Sequence, residues 1–91
     1  MNTYSDIELK ELGFRQFGKN VKISKKASIY GTENITIGNN VRIDDFCILS
    51  AGLDGITLRN NIHIAAYASL IGQAHVAIDD FANISARVSI S

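Results

Sequence analysis

The sequence predicts an all-β solenoid, three to four triangular coils behind a short N-terminal helix, and three observations predict it. A large apolar residue recurs in steps of six: Phe17, Ile23 and Ile29, then Ile37, Ile43 and Leu49, then Leu58, Ile64 and Leu70, then Ile78, Ile84 and Ile90. Short insertions after each third step reset the count, so that Phe17, Ile37, Leu58 and Ile78 are equivalent at a period of about twenty, the spacing of a coil built from three strands. Two residues before the stops runs a second apolar series: Val21, Ala27, Ile35, Val41, Cys47, Ile56, Ile62, Ala68, Val76, Ala82 and Val88. Its members are smaller on average, as a triangular section requires: bulky side chains fill the centre and small ones fit near the corners. The third observation is an absence. The 91 residues include no proline, so no backbone donor is lost from the ladders that pair successive coils.

Residues 1–16 break the hexad pattern and read as a capping segment. Ser5 followed by Glu8 forms a capping box, Ile7, Leu9 and Leu12 supply apolar contacts, and Gly13 marks the stop. The expected role of this helix is to cover the first coil, because an uncovered solenoid end exposes apolar core and a strand edge. Residues 17–91 form the β-helix. Its first corner carries Lys19-Asn20, Asn39-Asn40 and Asn60-Asn61, and Asn tolerates the positive φ of a tight bend. Asp44-Asp45 and Asp79-Asp80 fall on corners and read as turn formers. Gly18 and Gly38 follow stops, where a missing Cβ relieves crowding. The chain reaches Ser91 after two faces of the fourth coil, which suggests the N-terminal portion of a longer protein.

Composition narrows the function. Nine basic and nine acidic residues are interspersed at zero net charge, so bulk electrostatics favours no nucleic-acid partner. No apolar run reaches membrane-spanning length and the first residues are acidic rather than leader-like, so the expected location is cytoplasmic. The one cysteine, Cys47, falls on an inward position and reads as core.

The hexads Ile37-Gly38-Asn39-Asn40-Val41-Arg42, Ile43-Asp44-Asp45-Phe46-Cys47-Ile48 and Ile78-Asp79-Asp80-Phe81-Ala82-Asn83 resemble those of the hexapeptide-repeat acyltransferases. The segment from Phe14 to Gly38 is most similar to the sugar O-acetyltransferases of bacterial surface-polysaccharide clusters. That resemblance implies a left-handed parallel β-helix, a homotrimer, and acetyl-CoA as co-substrate with no metal. It also implies transfer of an acetyl group to a sugar hydroxyl on a glycan or sugar-nucleotide acceptor. A histidine would take the acceptor's proton and backbone donors would stabilise the oxyanion.

The chain has two histidines. His63 falls in an outward polar column with Lys22, Arg42 and Asn83 and reads as a surface residue. His75 lies in the irregular connection Gly72-Gln73-Ala74-His75 and is the candidate base. The corner series Lys26, Phe46, Tyr67, Arg87, with outward Ile48 and Ile71, would set apolar groups on the outside, as a subunit interface requires. Two alternatives remain: an inactive fragment that keeps the fold, and a hydratase of the γ-carbonic anhydrase type. The latter needs three zinc-ligating histidines, one more than the chain supplies.

Overall fold

Strands of three residues with two inward side chains apiece can bury them only around a shared interior. That interior runs the length of the computed structural model, which describes residues Met1–Ser91. Three parallel four-stranded sheets enclose it. The first face stacks β1 (Gln16–Phe17), β4 (Ile35–Ile37), β7 (Ile56–Leu58) and β10 (Val76–Ile78). The second stacks β2 (Val21–Ile23), β5 (Val41–Ile43), β8 (Ile62–Ile64) and β11 (Asn83–Ile84). The third stacks β3 (Ser28–Tyr30), β6 (Ile48–Ala51), β9 (Ser69–Gly72) and β12 (Ser89–Ile90), so the fourth coil carries all three faces, one more than the sequence reading counted. The fold is a left-handed parallel β-helix of about four coils, with one short helix before it.

Register follows the hexad arithmetic. Phe17 pairs with Ile37, Ile37 with Leu58 and Leu58 with Ile78, so each stop stands above its equivalent one coil below. Ile23, Ile43, Leu49, Leu58, Ile64 and Leu70 are fully buried, as are Cys47 and Ala68 of the smaller series. Burial pushes the Cys47 thiol up from its ordinary pKa, which keeps it protonated and inert.

Helix α1 spans Asp6–Glu11, and its capping box is complete: the Glu8 N–H donates to Ser5 Oγ at 3.2 Å and the Ser5 N–H to Glu8 Oε1 at 2.9 Å. Gly13 follows the C-cap at φ +82°, a left-handed conformation suited to glycine. Leu9 is fully buried and Leu12 packs against the core, but Ile7 is 72% exposed and contributes no core contact, contrary to the sequence reading. On so short a helix the buried stripe is too narrow for both Ile7 and Leu9. The residues ahead of the helix also protect the first coil. Thr3 pairs antiparallel with Ser24, the Tyr4 N–H donates to the Ile23 carbonyl at 3.0 Å, and the Lys25 N–H donates to the Asn2 carbonyl at 2.8 Å.

The first corner, between faces one and two, is held by side chains reaching across coils. Asn20, Asn40 and Asn61 have φ of 56–58° and form an amide ladder, with Nδ2 to Oδ1 distances of 3.0 and 3.1 Å. The preceding position bonds backbone: Asn39 Oδ1 accepts from the Lys19 N–H, Asn60 Oδ1 from the Asn39 N–H, and Asp80 Oδ1 from the Asn60 N–H, at 2.8, 2.8 and 2.9 Å. Asn and Asp at corners therefore do more than tolerate the bend. They satisfy donors that the turning backbone takes out of the ladders.

Candidate functional site

Face three returns to face one through connections that differ from coil to coil: a 3-10 turn at Thr32–Asn34, the Gly52-to-Gly55 turn, and Gln73-Ala74-His75. This irregular corner holds His75, which is exposed. Its Nδ1 lies 2.8 Å from the carbonyl oxygen of Asp54 in the turn of the coil below. A carbonyl only accepts, so Nδ1 carries a hydrogen and Nε2 is the ring nitrogen left without a partner. This is the orientation a general base needs.

His63 is not the free surface residue expected from the sequence. Strand pairing sets it directly above Arg42, and Asp44 sits just past the end of the Arg42 strand. Asp44 Oδ2 lies 2.8 Å from His63 Nε2, while Oδ1 accepts from Arg42 Nε at 2.8 Å. Burial raises the Asp44 pKa, but the hydrogen bonds from His63 and Arg42 outweigh it and hold the carboxyl below its ordinary value. Asp44 thus ties coil two to coil three, a role beyond turn formation. The register could have revealed it, since the hexad count alone stacks His63 on Arg42.

Asp45, the next residue, accepts from the hydroxyl of Ser24, which is fully buried and itself accepts from the Lys26 N–H at 3.0 Å. At the same corner Phe46 and Tyr67 stack with centroids 5.1 Å apart. Lys26 sits 5.6 Å from the Phe46 ring and Arg87 4.9 Å from the Tyr67 ring, so the four residues form one continuous external column, as the sequence spacing implied. Ile48, two residues past Phe46, is exposed, and so is Ile71, further along face three.

One groove opens on the outer surface of face one, with a volume of about 240 Å³. Gln16, Thr36 and Thr57 line it along the strands, and Arg59, Asn60 and Asp80 line it at the first corner. No two residues singled out from the sequence as catalytic or metal-binding converge there. His75 lies at the other end of the face-one strands, because β10 begins at Val76, just after it, and Asp79 and Asp80 just follow its end. Within the chain no cluster of three His, Cys, Asp or Glu side chains with metal-binding geometry occurs.

Comparison with known proteins places this geometry. No family model matches the chain. It is 64% identical over 85 residues to a dTDP-4-amino-4,6-dideoxy-D-glucose acyltransferase of Escherichia coli, covering 93% of this chain and 44% of that protein. It is 55% identical to AntD, an N-acyltransferase from Bacillus cereus, with a TM-score of 0.91 to a mutant solved with dTDP-4-amino-4,6-dideoxyglucose and coenzyme A. That match covers 98% of this chain and 47% of AntD. A further AntD structure, with dTDP and 3-hydroxybutyryl-CoA, matches at a TM-score of 0.84, 56% identity, 91% of this chain and 44% of AntD. The chain spans about half the length of these relatives. They act on an amino sugar, where the sequence reading expected a sugar hydroxyl. Over nearly all of its length the chain is similar in sequence and in fold to about half of each of these acyltransferases, and the part they share is the left-handed parallel β-helix.

Proposed function

We propose that the protein transfers an acyl group from an acyl-CoA to the amine of a nucleotide-linked amino sugar. The observation that carries this reading is the 64% identity to a dTDP-amino-sugar acyltransferase across nearly all of the chain. The structural match to an N-acyltransferase solved with CoA and the sugar nucleotide supports it. In the reaction the neutral amine attacks the thioester carbonyl carbon, the C–S bond breaks, and CoA leaves as its thiol while the nitrogen loses one proton. We assign that proton to His75 Nε2, which is free because Nδ1 donates to the Asp54 carbonyl. Asp54 is the positioning residue, acting through its backbone.

We propose further that the protein works as a homotrimer, with the exposed column of Phe46 and Tyr67 and the exposed Ile48 and Ile71 of face three covered by a second copy.

The test is CoA release from acetyl-CoA and from 3-hydroxybutyryl-CoA with dTDP-4-amino-4,6-dideoxyglucose as acceptor, with the acylated product identified by mass. Turnover that falls about 10²- to 10⁴-fold in His75→Ala, with KM little changed, is expected for loss of a general base. Turnover unaffected by His75→Ala removes His75 from the chemistry. No turnover with either donor overturns the acyl-transfer reading for this chain.

A further inference from the structure

The face-one groove has no part in the proton transfer assigned to His75. Four residue steps of extended chain lead from His75 to Asp79, roughly 13 Å at 3.3 Å per residue, so a ligand seated by the corner does not place its reacting atom on the imidazole. The groove exists because the repeat changes at one column. Gly18 and Gly38 follow the stops of coils one and two, and Gly38 is closely overlaid by the Asn60 side chain and the Arg59 backbone. In coil three that position is Arg59, which lines the groove together with Gly38.

Its lining selects a ligand by elimination. Ile37 and Leu58 are the only apolar contributors and both are core residues, 1% and 0% exposed, so an acyl chain finds no apolar side-chain surface. No aromatic ring lines it for a base to stack on. Arg59 Nε already pairs with Asp79 Oδ1 at 3.0 Å, and Asp80 adds a second carboxylate, so the one cation at the corner is opposed by two anions and offers a phosphate no net attraction.

What remains open is a balanced set of donors and acceptors. Asn60 Oδ1 is occupied by the Asn39 N–H, leaving its Nδ2 hydrogens free. Asp80 Oδ1 is occupied by the Asn60 N–H, leaving Oδ2 to accept. The Thr36 and Thr57 hydroxyls and the Gln16 amide can each donate and accept. Thr36 and Thr57 are register partners on adjacent strands, about 4.8 Å apart, a separation matching two alternate equatorial hydroxyls of a pyranose.

We propose that this groove is a carbohydrate subsite holding one uncharged, hydroxylated six-membered ring through Thr36, Thr57, Asn60 and Asp80. Such a ring could come from a free glycan or from the sugar part of a nucleotide sugar, and the two sources bind the same hydroxyl-directed way. The inference concerns binding alone and stands whether or not the protein transfers acyl groups.

The experiment is amide-resolved NMR titration of the 91-residue chain with a methyl 6-deoxyglucopyranoside, with dTDP alone and with dTDP-6-deoxyglucose. The glycoside is expected to shift the amides of Thr36, Thr57 and Asn60 saturably, and dTDP alone to leave them in place. A tighter response to dTDP-6-deoxyglucose than to the glycoside identifies the sugar nucleotide as the source; an equal response identifies a free glycan. Thr57→Val, which removes the hydroxyl and keeps a β-branched strand residue, is expected to weaken the response at least 5-fold with an unchanged far-UV circular dichroism spectrum. Silence towards the glycoside, shifts induced by dTDP alone, or undiminished binding by folded Thr57→Val each overturn the proposal.

Discussion

Phe46, Tyr67, Phe81 and Arg87 hold φ of 64–66°, the conformation for which the first corner of the lower coils uses asparagine. A residue with a Cβ costs roughly 1–2 kcal/mol there. Phe46 and Tyr67 offset part of it by stacking on each other, about 0.5–1.5 kcal/mol for an aromatic pair. Phe81 has no such partner: it is 79% exposed and stands at the top of the Asn20, Asn40, Asn61 column. Phe81→Asn is therefore expected to stabilise the fold by roughly 1 kcal/mol, raising Tm by about 4–8 °C, through a relaxed corner and a fourth rung of the amide ladder. An unchanged or lower Tm in a thermal melt would show that Phe81 carries no strain there. The Asp44 carboxyl makes a different prediction. Burial raises its pKa, the His63 and Arg42 bonds lower it further, and the folded value lies below the ordinary 3.8. Its stabilising contribution is thus complete above 3.8 and is lost as pH falls through the lower folded value. Urea midpoints measured across that acid range should fall less steeply for Asp44→Asn than for the parent chain, and parallel curves would remove Asp44 from the acid response.

Corners, rather than strands, are where the elements differ, and they set how much the sequence could reveal. At the first corner the turn and the cross-coil bonds repeat, so a Cβ at position 38 meets the Asn60 side chain and the Arg59 carbonyl of the coil above. Gly38→Ala is expected to destabilise by about 1–3 kcal/mol, the usual scale for overpacking, measured as a lower urea midpoint with unchanged m-value. A neutral result would mean that the coils can separate locally at little cost. The period made strand positions, the inward series and the asparagine bends legible, because each is fixed by the spacing of identical units. The candidate site was less so. The bond from His75 to Asp54 crosses an irregular corner whose insertions break the count, so no period predicts it. Local preference also points away from Phe46 and Tyr67 as left-handed residues, since their advantage comes from stacking between coils. Whether the acceptor is an amine or a hydroxyl is not encoded in the hexads at all, which specify a scaffold and leave acceptor chemistry to its outward side chains.

For the molecule as a whole, stability is a chain of neighbour contacts, since each strand hydrogen-bonds only to the coils above and below. The first coil gains extra protection from the antiparallel Thr3 to Ser24 bridge and from buried Leu9. Ile64 belongs to coil three, fully buried at the centre of the triangle, with Ile43 below it and Ile84 above it as register partners. An aspartate there would place a carboxylate among aliphatic side chains with no charged or donor partner, a burden that a domain of ordinary stability, about 5–15 kcal/mol, cannot carry in full. Because coil four reaches coils one and two only through coil three, the damage cannot remain local. Ile64→Asp should therefore lose the strand signal of the whole β-helix in circular dichroism and show no cooperative urea transition. The sharper comparison is with His63→Asp, one residue away but pointing outward from the same strand, which should remain folded. If both variants fold alike, the inward and outward assignment of face two is wrong. If only Ile64→Asp unfolds, the six-residue count is established as a map of the solenoid interior.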